Sequence, residues 1–235
     1  MKIKTLLLFT FACLTIGTAY SQKDKKWDDR NQTGPNFNKN WSLGLGVNIV
    51  DDSGVNFYIG DDWNFSLPFT LSGEYYLNSK FSFNALLSMN KYTEGKRIDA
   101  NFVVKDYEAT YFAADLAAKF YLRDWFDTPV LDPYIFVGGG YTSIGEYRVS
   151  PGSGRPPYNP ENEDVDENGN LMVPQIGRFT FNTGLGMNIW INNHWGVTGA
   201  ATGKWGFASG DYDRGSNSVS NQIQFTMGLI YMFKE

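Results

Sequence analysis

The sequence predicts an all-β chain, an eight-stranded antiparallel transmembrane up-and-down β-barrel, and three observations carry that prediction. From Trp41 onward apolar residues recur at every second position, the period of a strand rather than a helix. The links between these runs alternate strictly between short and long. The face opposite the apolar one is mostly Gly, Ser, Thr and Asn, where a soluble surface normally carries many Lys and Glu.

Composition removes most other classes. The 235 residues hold one Cys and one His, which excludes a Cys/His zinc site, and no cofactor is implied. Charged residues are only 19% of the chain with a net charge of -5, so there is no basic footprint for nucleic acid. No apolar run of 18 residues exists outside the N-terminus, which rules out a helical membrane bundle.

The N-terminus reads as a secretory signal peptide, residues 1–21. Lys2 and Lys4 precede the apolar stretch Leu6 to Ile16, which is too short to span a bilayer, and Ala19-Tyr20-Ser21 supplies the small-residue cleavage pattern. Cys13 leaves with it, because Thr10-Phe11-Ala12 is a poor lipidation signal, and no disulfide is expected. Residues 22–40 are polar and aperiodic, an N-terminal arm.

The barrel is expected over 41–233. The first run, about 41–50, puts Trp41, Leu43, Leu45, Val47 and Ile49 on one face. The second, 65–77, sets Phe65, Leu67, Phe69, Leu71 and Tyr75 against Ser66, Thr70, Ser72, Glu74 and Tyr76. The third, 81–92, alternates from Phe81 to Met89 with Leu86 as the exception, and the fourth, 107–122, sets Phe112, Leu116 and Phe120 against Tyr111, Asp115, Lys119 and Tyr121. The fifth, 132–145, is a strand by composition, but the facing of DPYIFVGGGYTSIG is ambiguous. The sixth, seventh and eighth, 178–191, 195–206 and 221–233, return to clean alternation, with Lys204 on the polar face of the seventh.

Links after runs 2, 4 and 6 are short, whereas 51–64, 93–106, 146–177 and 207–220 are long and polar. This asymmetry is that of a bacterial outer-membrane barrel, with short periplasmic turns and long extracellular loops, and it puts both termini in the periplasm. A soluble barrel of the lipocalin kind fits less well, because small polar residues suit a narrow lumen and the apolar face carries aromatics near strand ends, as headgroup-level girdles require.

On WSLGLGVNIVDDSG (Trp41 to Gly54), YLNSKFSFNALLSMNKYTEGK (Tyr76 to Lys96), DPYIFVGGGYT (Asp132 to Thr142) and FNTGLGMNIWINNHWGV (Phe181 to Val197), the chain resembles the OmpA-type eight-stranded outer-membrane barrel family, most of all its Bacteroidetes and Flavobacteria form. The last strand ends Thr226, Gly228, Tyr231, Phe233, similar to the signal read by the barrel assembly machinery, with Lys234-Glu235 a departure after the final aromatic. Many relatives continue into a C-terminal peptidoglycan-binding domain, which is lacking here, so a cell-wall tether is not carried over.

Eight strands enclose an interior that side chains fill, so a general pore is not expected. Glu74, Asp115, Lys119 and Lys204 form a polar lumen network, with a lower pair Glu74–Lys119 and an upper pair Asp115–Lys204 expected from strand direction; a gate or small ion path is the alternative. The resemblance also admits barrel enzymes acting on lipid near the outer rim, but the sole His194 lies on a short turn at the other end, and no catalytic residue is assigned. Asp164, Asp166 and Asn168 match the first half of a calcium loop, with Gln175 where a bidentate Glu belongs, so a solvated acidic loop is the expectation and no metal is assigned. The expected role is a non-enzymatic barrel, structural or an accessory subunit of an envelope complex. The alternative is a surface adhesin or receptor acting through 146–177. Expected partners are outer-membrane lipid, the assembly machinery during biogenesis and other outer-membrane proteins.

Overall fold

A computed structural model describes residues 35, 37–51, 63–98, 102–104, 108–125, 130–149, 171–173, 175–208 and 220–233. The signal peptide, most of the arm and the calcium-like segment around Asp164, Asp166 and Asn168 lie outside these residues. Eight long strands form the wall: β1 Asn40–Asp51, β2 Ser66–Tyr76, β3 Phe81–Tyr92, β6 Ala109–Tyr121, β7 Leu131–Ile144, β10 Ile176–Trp190, β11 Trp195–Ala208 and β12 Ser220–Met232. They close in the order β1-β12-β11-β10-β7-β6-β3-β2, every neighbouring pair antiparallel. The seam between first and last strand runs from Ser42 opposite Met232 to Asp51 opposite Ile223, so no wall strand is left with an unpaired edge.

Each long strand lies within a few residues of its expected bounds. The larger difference is in the links. The 93–106 link carries a small hairpin, β4 Arg97–Ile98 with β5 Phe102–Val103, and the 146–177 link begins and ends in β8 Tyr147–Val149 paired with β9 Leu171–Val173. Two-residue and three-residue strands are too short to show a period of two in a sequence. In β2 the register with β3 shifts between Ser66 and Phe69, where Leu67 has a φ of 52° and Pro68 has no N–H to give to the ladder.

Burial is inverted relative to a soluble domain. Leu116 is 68% exposed while its neighbour Asp115 is 8% exposed, and Leu185 is 64% exposed while Asn182 and Asn188 are buried. Exposed Trp41, Leu43, Leu45, Phe83, Ile135, Val137 and Leu229 continue this apolar surface around the wall. Water tolerates contiguous apolar patches of only a few hundred Å² on a monomer, whereas hydrocarbon requires such a wall. Aromatic rings form a belt at each end. Trp41–Tyr75 at 4.8 Å, Phe81–Phe120 at 5.1 Å and Trp195–Tyr231 at 4.8 Å lie at the short-turn end. Trp63–Phe225 at 5.1 Å, Tyr141–Phe179 at 5.3 Å and Phe181–Trp205 at 6.0 Å lie toward the long-loop end.

The facing of β7 is resolved. Ile135, Val137 and Tyr141 are exposed on the wall, while Asp132, Tyr134, Thr142 and Ile144 are buried inside. Its ambiguity in the sequence came from aromatic side chains, Tyr134 and Phe136, standing on the lumen side. Inside, two glycines meet across the seam: Gly46 lies opposite Gly228, and a Cβ on Gly228 would sit 2.8 Å from the Gly46 Cα. Gly73 has open space in place of a side chain. Gly46→Val is therefore expected to destabilise the barrel by about 1–3 kcal/mol through overpacking, with Gly73→Ala near neutral, both measured by urea unfolding of the refolded protein.

Candidate functional site

The candidate site is the lumen, and it is organised in layers. At the short-turn end Glu74 of β2 accepts a hydrogen bond from the Lys119 ammonium of β6 at 2.7 Å and further bonds from the hydroxyls of Ser82 and Tyr121. Register explains the meeting. Ser82 of β3 stands opposite Lys119, and Glu74 stands opposite Asn84, so acid and base flank β3 one diagonal step apart. The Lys119 ammonium also lies 4.5 Å from the centre of the Tyr134 ring, so a cation with little access to water is held by a carboxylate and a π face together.

Toward the long-loop end Asp115 of β6 receives the Lys204 ammonium at 2.6 Å and the Asn182 amide at 2.8 Å. Lys204 also donates to the Tyr111 hydroxyl at 3.3 Å, Tyr111 donates to Gln222 Oε1 at 3.1 Å, and the Gln222 amide reaches the Tyr92 hydroxyl at 3.4 Å. Tyr111 and Gln222 stand on β6 and β12, four places apart in the ring of eight, so this chain of bonds crosses the full width of the lumen. The crossing depends on β7, whose inward positions Gly138 and Gly140 leave room for Asp115 and Asn182 to meet over it. A Cβ on Gly140 would strike the Asp115 carboxylate and lie 2.6 Å from the Ala114 carbonyl oxygen.

Between the two layers is a cavity of about 70 Å³, bordered by Asp115 and Asn182 on one side and Lys119 and Asn84 on the other. Apolar and aromatic clusters flank the layers and share Tyr92, Tyr111, Tyr121 and Tyr134 with them. Val50, Tyr92, Val104, Tyr111, Ile144 and Tyr147 are all fully buried toward the long-loop end. Phe37, Tyr76, Tyr121, Tyr134, Trp190 and Met232 form the other cluster.

The lumen contains more charge than the four residues singled out from sequence. Asp132 and Arg178 are also buried, at 1% and 6% exposure. Asp132 accepts from Arg123 at 2.6 Å and from the Trp190 indole at 3.3 Å. Arg123 belongs to a single 3-10 turn, Arg123–Trp125, within a link that gave no sequence signal for such a role. Phe37, placed by its sequence in the polar arm, is 7% exposed and packs into the same cluster.

The remaining candidates fall at the edges. Thr226 and Gly228 face the lumen side of β12, while Tyr231 stacks against Trp195 and Phe233 and lies 5.9 Å from the His194 ring, within the short-turn aromatic belt. The His194 Nδ1 is 3.1 Å from the Met232 carbonyl oxygen and its backbone N–H donates to Asn192 Oδ1, so it fastens the turn to the last strand. Gln175 donates to Ser143 at 2.8 Å. Among the described residues no group of His, Cys, Asp and Glu is placed to hold a metal ion.

Comparison with solved structures finds the same architecture. OprG from Pseudomonas aeruginosa superposes with a TM-score of 0.50 at 12% identity, over 86% of this chain and 99% of that one. The fold is that of an eight-stranded outer-membrane barrel. Ail, the attachment invasion locus protein of Yersinia pestis, matches at a TM-score of 0.45 and 10% identity over 83% of this chain and 97% of its own. Outer membrane protein W of E. coli matches at 0.41 and 15% identity over 83% and 98%. No protein-family model matches the chain, and no curated protein matches its sequence.

Chemically, the arrangement holds charge still. Each ammonium in the two layers is bonded to a carboxylate and each carboxylate accepts further bonds, which offsets the desolvation that makes a lone buried charge so costly. Lys119→Met strands Glu74 and is expected to destabilise the barrel by about 3–5 kcal/mol. The double variant Lys119→Met, Glu74→Gln should recover much of that loss in the same urea titration. Additive single effects would show that the two side chains do not act as a pair.

Proposed function

We propose that the chain is a non-enzymatic barrel of the cell outer membrane, a structural element or accessory subunit of an envelope complex. The observation that carries this reading is the pairing of an apolar outer wall with a lumen whose charges bond to one another. Such a lumen offers a diffusing solute little, so the surfaces available for work are the outer wall and the long links. In this reading the long links face outward, both termini are periplasmic, residues 1–21 are removed on export, and Thr226, Gly228, Tyr231 and Phe233 are read by the assembly machinery. The segments resembling the OmpA-type family in its Bacteroidetes form support the same assignment. Outer-membrane lipid and neighbouring outer-membrane proteins are the partners.

One observation favours a second role. The β8–β9 pair closes the base of the 146–177 link with paired strands, which suits a surface adhesin or receptor. A detergent pull-down followed by mass spectrometry separates the two roles. Reproducible recovery of other outer-membrane proteins supports the subunit reading, and a soluble ligand lost on deletion of 150–170 supports the receptor. Recovery of neither would sink both.

Topology has its own test. Protease added to intact cells is expected to cut within 146–177, and cleavage at Asn192 to His194 instead would reverse the orientation. For assembly, Tyr231→Ala with Phe233→Ala is expected to lower outer-membrane abundance and raise envelope stress. Normal abundance of the double variant would leave the two rings as belt residues only.

A further inference from the structure

The short-turn mouth is closed by a residue that is not part of the wall. Tyr76, Trp190 and Met232 are the last residues of β2, β10 and β12, and they stand at the rim, yet they are 0%, 3% and 1% exposed. Phe37 accounts for part of this burial. Its ring lies 5.4 Å from that of Tyr76 and 5.7 Å from that of Trp190. Strands β2 and β10 are four places apart in the ring of eight, so one side chain touches both sides of the mouth.

Phe37 sits on a platform that is anchored without it. The Arg123 guanidinium lies 3.3 Å from the centre of the Phe37 ring and 4.4 Å from that of Tyr121, while it is held by Asp132 and donates to the Ser79 carbonyl. The seam is likewise closed from Asn40 onward, where the Asn40 amide donates to the Phe233 carbonyl at 2.9 Å and the Phe233 N–H to the Trp41 carbonyl at 3.0 Å. Between wall and ring are two exposed residues, Asn38 and Lys39, and Lys39 has a φ of 52°, a conformation that L side chains other than Asn and Asp seldom adopt. The chain turns sharply there to bring the ring under the barrel. Above the ring, the Tyr76 and Tyr121 hydroxyls are 3.2 Å apart and Tyr121 donates to Glu74, so the first charged layer begins directly behind the stopper.

We propose that Phe37 is a movable stopper: swinging out about Asn38–Lys39, it admits water and small solutes to the Glu74–Lys119 layer from the short-turn end, while that layer keeps the rest of the lumen closed. The wall needs no rearrangement for this, since its ladder starts at Asn40.

Thiol accessibility tests it in the full chain, refolded into detergent, with Cys13→Ser removing the one native thiol. Ser42→Cys places a reporter just inside the mouth, at a buried lumen position, and Thr202→Cys places one beyond the Glu74–Lys119 layer, at the cavity. Each is labelled with a small cationic methanethiosulfonate, with Phe37 intact, with Phe37→Ala and with Phe37→Tyr. The expected result is a rise of at least tenfold in the Ser42→Cys rate for Phe37→Ala, less than twofold for Phe37→Tyr, and no change at Thr202→Cys. An unchanged rate at Ser42→Cys in a folded Phe37→Ala barrel overturns the proposal. A rise at both reporters overturns it as well, because the ring would then be holding the whole lumen together. If Phe37→Ala does not fold, Phe37→Leu takes its place, where a threefold rise confined to Ser42→Cys supports the stopper and an unchanged rate overturns it.

Discussion

The narrowness of an eight-stranded barrel governs everything inside this one. Interior side chains of such a barrel meet one another rather than bulk water, so a charge placed on the inner face must find its counter-charge within a few strands and at its own height. Glu74 meets Lys119 across β3, and Asp115 meets Lys204 across β7 and β10, over the glycines of β7 and beside Asn182 of β10. The outer face obeys the complementary constraint. Lipid leaves no backbone polar group a partner except another strand, and closure between β1 and β12 supplies the last row of them.

These two constraints divide the work of the sequence. Alternation writes the wall and the inward row of polar side chains, and a few inward residues without polar groups shape how that row packs. Leu86 breaks the pattern of β3 because it points inward to the central cavity. Gly138 and Gly140 lack side chains where Asp115 and Asn182 must meet, and the Gly46–Gly228 contact brings the first and last strands close at the seam.

Much of this was legible from the sequence because it follows from a period of two and from link lengths. The wall strands, the inward placement of Glu74, Asp115, Lys119 and Lys204 and the height at which each sits are all consequences of alternation and strand direction. Asp132 was harder to read, since Tyr134 and Phe136 give the lumen face of β7 the same apolar look as its lipid face. Arg123 and Phe37 were beyond such reasoning. Neither lies on a strand, so no periodicity marks them, and their burial depends on a three-dimensional coincidence: a 3-10 turn from one side of the rim and the residues just before β1 from the other arrive over the same opening.

The short ladder between Tyr147–Val149 and Leu171–Val173 has an effect on sequence change over time. It holds Val149 and Leu171, the residues that flank the 150–170 segment, at the spacing of neighbouring strands, about 4.8 Å. Once the ends are clamped, lengthening the chain between them adds little cost, since doubling a loop raises its closure free energy by only about 0.6 kcal/mol. Insertions and deletions there are thus uncoupled from the wall, and this stretch is free to diverge in length and chemistry while the strands that carry it stay fixed.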